Sequence, residues 1–132
     1  MNTFTPSYNA SAGTYTPDRL HAGDFPIRTL GVTLVSGQNL TRGALVGVIA
    51  ASGKCKLSAM TDDDGSVTDG SQTPVGILAE DCDASGGDKA TLIYISGDFN
   101  TRAMTFGTGH TAASTRLGLA ARGIYTTDAV PA

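Results

Sequence analysis

The stretch LIYISGD, residues 92–98, carries the most β-prone run of the chain in Leu92–Ile95. β-Branched and aromatic side chains suit the pleated, half-buried surface of a strand, and Gly97-Asp98 marks its expected end. Working outward, the same unit recurs. Val75, Ile77 and Leu78 follow Pro74 as a short strand, and an Asp/Gly/Ser loop from Asp83 to Asp88 separates it from the first. Leu45, Val46, Val48 and Ile49 form a continuous apolar run, the pattern of a strand covered on both faces. Ser52-Gly53 closes that run, and Cys55, Leu57 and Ala59 alternate inward beyond it, so a hairpin is expected. Further upstream, Phe25, Ile27 and Thr29 alternate in one phase and Leu30, Val32 and Leu34 in the other, which places a bulge near Gly31. Short strands at this spacing, punctuated by Gly-rich turns, predict a mainly β chain with a small barrel or sandwich-like domain.

One helix breaks the series. Thr111 is a good N-cap for a run from Ala112 to Arg122, and Gly123 sits where a terminating glycine belongs. Gly118 inside that run costs about 1 kcal/mol relative to alanine, which reads as close packing against a neighbour. Ile124–Thr127 is then a final strand.

The chain has 132 residues, enough for one core and one domain. With no Trp, four Phe and four Tyr, that core must come from Val, Ile, Leu and Ala. Only 16% of residues are charged, so the surface is cheap to desolvate, which suits burial in an assembly and equally fits a merely bland surface. The net charge is -3, and the basic residues are scattered without a stripe to neutralise phosphates, so no nucleic-acid partner is expected. Lys54 and Lys56 flank Cys55 and would share one strand face. No run approaches the roughly 20 apolar residues of a membrane span, and the polar stretch from Met1 to Tyr15 does not resemble a secretory signal, so synthesis in the cytoplasm is expected. Cys55 and Cys82 read as reduced, buried small hydrophobes.

Candidate chemistry fails on spacing. Five residues rather than four separate Gly47 from Gly53, and Cys55 stands where a phosphate loop needs Ser or Thr. Asp62-Asp63-Asp64-Gly65 resembles a calcium loop. With Gly65 as the sixth position, however, Met60 and Ser71 occupy the key first and twelfth positions. His21 and His110 are the only imidazoles and have no evident acid, base or nucleophile beside them. Neither a zinc site nor a nucleophile elbow is present. The expectation is a protein without catalytic residues, cofactor or metal.

Residues 1–24 hold no helical or alternating period. Their composition fits an idle tail and equally an arm that orders on a partner. Phe4, Tyr8 and Tyr15 are the physical choices for anchors, because buried aromatics dominate interfaces.

VGILAED (75–81), the following Asp/Gly/Ser loop and LIYISGDFN (92–100) resemble the core of the lambda-type bacteriophage head decoration proteins. The SGK turn (52–54) between strands, the acidic loop and the terminal helix followed by GIY (123–125) are similar too. The resemblance implies a homotrimer on the exterior of the expanded capsid, bound to the major capsid protein and reinforcing the shell against packaged DNA. It also implies a division into an N-terminal capsid-binding arm, residues 1–24, and a trimerising domain, residues 25–132. A β module for adhesion in a phage tail or fibre is the alternative from a different class, since a β scaffold alone assigns no function.

Overall fold

The computed structural model describes residues 20–128. In chain order its strands are β1 (Arg28–Leu34), β2 (Asn39–Leu40), β3 (Leu45–Val48), β4 (Cys55–Leu57), β5 (Thr61–Asp62), β6 (Gly65–Ser66), β7 (Pro74–Leu78), β8 (Cys82–Asp83), β9 (Lys89–Asn100) and β10 (Ile124–Thr127). A 3-10 turn (Thr101–Ala103) and helix α1 (Ala112–Ala120) lie between the last two strands. The chain is mainly β with one short helix near its C-terminal end, as the strand spacing predicted.

The main sheet runs β1-β4-β3-β7-β9-β10, and β1 also pairs with β9. That extra pairing closes β1, β4, β3, β7 and β9 into a ring, a small barrel with β10 appended. Each ring strand sends a side chain inward: Leu34, Cys55, Val46, Leu78 and Ile93 form one buried cluster. Their sequence neighbours point the other way. Leu45, Ile77 and Tyr94 join Phe99, Leu20, Met104, Leu119 and Ile124 in a second cluster outside the ring, beneath α1 and β10. Strand alternation thus feeds two cores, which is why Leu45-Val46 reads as an unbroken apolar run.

The predicted hairpin is present, with Val46 opposite Leu57 and Val48 opposite Cys55. Gly53 donates its N–H to the Ile49 carbonyl at 2.8 Å across the turn. Cys55 and Cys82 are both free and buried, and burial pushes the Cys55 thiol up from its ordinary value. The Asp62–Gly70 stretch is more ordered than a plain loop. Thr61–Asp62 pairs with Gly65–Ser66, and Asp62 Oδ1 accepts the Asp64 N–H at 2.9 Å across the turn.

Two expectations about the strands need correction. Gly97-Asp98 does not end the strand begun by Leu92, because β9 continues to Asn100. Tyr94 and Phe99 both reach the second cluster although they lie five positions apart, an odd step. A local phase change must lie between them. Gly97, at φ +141°, supplies it in a conformation that side chains disfavour. The bulge read near Gly31 lies earlier: Arg28 pairs with Ser96 and Thr29 with Tyr94, while Gly31 pairs regularly with Leu92.

Helix α1 is closed at its start by a capping box. Thr111 Oγ1 accepts the Ser114 N–H at 3.0 Å, and Ser114 Oγ accepts the Thr111 N–H at 2.9 Å. The helix ends at Ala120, before the expected Arg122, and Gly123 at φ +86° turns the chain into β10. Only Thr115 and Leu119 of the helix are buried. Within the chain Gly118 packs against nothing, since an added Cβ meets no atom within 4 Å. Gly118→Ala should therefore raise stability by about 0.5–1 kcal/mol, read as a higher urea midpoint. A lower midpoint would contradict an open position.

Candidate functional site

Phe4, Tyr8 and Tyr15 lie outside the described residues. The described chain begins at Leu20, and its first residues are already seated on the sheet. Asn100 donates its N–H to the Leu20 carbonyl at 2.6 Å, Ala22 donates to the Asp98 carbonyl at 3.0 Å, and His21 forms an antiparallel bridge with Phe99. Leu20 is buried, and the His21 ring sits 4.9 Å from the Tyr94 ring and 5.3 Å from Phe99. From there the chain follows β9 in the opposite direction as far as Leu34.

Between these two contacts with β9, Gly23–Ile27 swings outward. Asp98 holds the excursion, since its carboxylate accepts the Phe25 N–H at 2.9 Å while its carbonyl accepts the Ala22 N–H. Ser96 Oγ–H donates to the Pro26 carbonyl at 2.9 Å. Phe25 stacks edge-on against Tyr125 of β10, with ring centroids 4.9 Å apart. Although they pack on each other, Phe25 and Tyr125 remain 40% and 42% exposed, and Ile27 is 48% exposed. The result is an apolar ridge held by a buried strand. Leu117, on the outer side of α1, is 81% exposed.

The sequence singled out Phe25 and Ile27 as strand residues and missed Asp98 and Tyr125 as their supports. Asp98 follows a glycine and so read as part of a turn. The aromatic pairing spans most of the chain and leaves no local signal.

The remaining candidates resolve into structural ties. Ser58 Oγ lies 3.2 Å from His110 Nε2, a spacing that suggests a nucleophile and base. The same nitrogen also lies 2.8 Å from the Gln72 carbonyl, which can only accept. Nε2 therefore carries the proton and donates to both, so it is not placed to take a proton from Ser58. His110 instead ties the loop before α1 to the strands beneath. Lys54 and Lys56 face outward with Cys55 turned in, and each has a carboxylate partner: Lys54 Nζ to Asp88 at 2.5 Å and Lys56 Nζ to Asp69 at 3.7 Å. Among the described residues no three His, Cys, Asp or Glu side chains form a metal-holding group. No described helix is long and apolar enough to cross a membrane.

Several carboxylates are held below their ordinary range. Lys54 and then the Ser36 N–H act on Asp88, and the Ser71 hydroxyl and N–H act on Asp69. The Ser85 hydroxyl and N–H act on Asp83, and Arg102 acts on Asp128. A carboxyl depressed by folding stabilises the fold above its unfolded value, and that contribution is lost as pH falls through its folded value. Thermal midpoints should stay level from neutral pH to about pH 5 and fall below about pH 4. A midpoint unchanged at about pH 3 would contradict these contacts.

Taken together, the ring of strands, the seated N-terminal segment and the exposed ridge define a small β-barrel domain that presents apolar contact surface. A family model for the bacteriophage lambda head decoration protein D matches residues 13–124. The chain belongs to that family, whose members are structural proteins of the phage head, and capsid decoration is its function in general terms. No curated protein matches the chain.

Proposed function

We propose that the chain binds the outside of the expanded head as a homotrimer, grips the major capsid protein through its N-terminal arm and stiffens the shell against the pressure of packaged DNA. The observation that carries this reading is the family match across residues 13–124. The seating of Leu20–Ala22 on β9 supports it, because an arm rooted in a buried strand transmits load to the barrel instead of hinging freely. The division of labour follows: residues upstream of Leu20 attach, with Phe4, Tyr8 and Tyr15 as anchors, and the barrel trimerises. Three arms on one trimer make dissociation slow even where each contact is weak.

Chemical cross-linking of the protein bound to heads tests the trimer, and cross-linked products that never reach three chains would exclude it. Reinforcement is tested by heating DNA-filled heads with and without bound protein. DNA release should move to a higher temperature on binding, and an unchanged release temperature would remove the stiffening role.

A further inference from the structure

The barrel has an open seam. β1 pairs with β9 along its whole length but meets β4 only where Leu34 lies opposite Cys55. The parity of the ladder fixes which backbone groups face that seam. Leu92, opposite Gly31, gives its carbonyl to the Ala79 N–H at 2.9 Å on the β7 side. This pair therefore exchanges no backbone hydrogen bond, and Gly31 turns its own N–H and C=O away from β9. By alternation Thr29 and Thr33 do the same. Val35, next in that parity, confirms the direction by donating its N–H to the Cys55 carbonyl at 2.9 Å. The parallel bridge of Leu34 with Cys55 takes up the Thr33 carbonyl, but among the described residues no backbone hydrogen bond pairs the outward groups of Thr29 and Gly31 or the Thr33 N–H.

Two further features mark this edge. Natural edge strands are usually blunted with charge, proline or a covering element, yet Thr29-Leu30-Gly31-Val32-Thr33 carries neither charge nor proline. Gly31 also has no reason within the chain to be glycine. An added Cβ would meet nothing within 4 Å, and Gly31 is absent from the positive-φ glycines. A glycine in mid-strand weakens the strand unless another backbone must come close. A shallow groove of about 450 Å³ crosses the β1–β9 ladder here, with Gly31, Thr33, Ala90 and Leu92 in its lining and Glu80 on the β7 side.

We propose that this edge receives an extended, uncharged segment of the head shell protein, which adds to the barrel as a strand alongside β1. The proposal rests on the head-binding reading above and adds a contact separate from the arm. Continuity selects the shell over a second copy. The 19 residues upstream end at Leu20, and from Leu20 the chain follows β9 into the open edge. A surface held by the arm is thus delivered alongside β1. Phe25, Ile27 and Leu30 are exposed on this same stretch, with Arg28 the only charge between Phe25 and Thr33. Main-chain hydrogen bonds would give affinity and the flanking apolar side chains specificity.

Gly31→Pro tests this directly. It removes an outward N–H while leaving every β1–β9 hydrogen bond in place, and proline is tolerated at such edge positions. Wild type and variant are compared by circular dichroism, by light scattering and by cosedimentation with expanded, undecorated heads. The expected result is an unchanged fold and oligomeric state with head affinity reduced by about tenfold or more. A folded Gly31→Pro protein that binds heads like wild type overturns the proposal. So does a changed oligomeric state, which assigns the edge to contact between copies. Should Gly31→Pro not fold, Thr29→Pro decides, since by the same alternation it removes an outward N–H and no β1–β9 hydrogen bond; wild-type binding by that variant overturns the proposal. Failure of the wild-type protein itself to bind heads overturns the head-binding reading instead.

Discussion

Deleting residues 2–19 is expected to leave a folded protein of unchanged oligomeric state that no longer cosediments with expanded heads, a loss of about a hundredfold or more in apparent affinity. The cut position matters. A deletion through residue 24 would also remove Leu20 from the second core and take away the partners of the Asn100 N–H and the Asp98 carbonyl. Lost binding would then report unfolding as readily as a missing contact. Stopping before Leu20 preserves the strand that roots the arm. Replacing Phe4, Tyr8 and Tyr15 together with alanine should reproduce most of the defect if these rings are the anchors. A truncated protein that binds like the full chain would move attachment to the barrel.

Phe99→Ala should cost about 3–5 kcal/mol, read as a lower urea midpoint with little change in slope. Phe99 is completely buried and central to the second cluster, with ring centroids 5.3 Å from His21 and 5.4 Å from Tyr94. A domain of this size has about 5–15 kcal/mol in total, so one truncation removes a large part of it. Because Leu20 and His21 belong to the same neighbourhood, the cavity should also loosen the root of the arm and weaken head binding at temperatures where the barrel stays folded. A loss below about 1 kcal/mol would mean that the outer cluster is not a core.

Much of this fold was legible in the sequence because it is locally encoded. The Leu45–Ile49 run, the Ser52-Gly53 turn and the Thr111 cap each act through neighbours a few residues apart. The misreadings share a different cause. A glycine inside a β pattern is compatible with a strand end, a bulge or a close approach, and only the partner strand distinguishes them. Gly97 proved to be a phase change within β9 rather than its end. Gly31 lies in regular pairing with Leu92. Ring closure through β1 and β9 is a long-range event, so neither the open seam nor the role of Asp98 in holding Phe25 leaves a local trace. The family resemblance reached further than periodicity did, and the match over residues 13–124 supports it.

The most direct measurement is cosedimentation of the wild-type protein with expanded, undecorated heads of the phage that encodes it, titrated to saturation. A decoration protein should pellet with the heads in a saturable, fixed ratio to the capsid protein and should not pellet alone. Absence of the protein from the pellet at concentrations well above those used for trimer analysis would contradict attachment to the head.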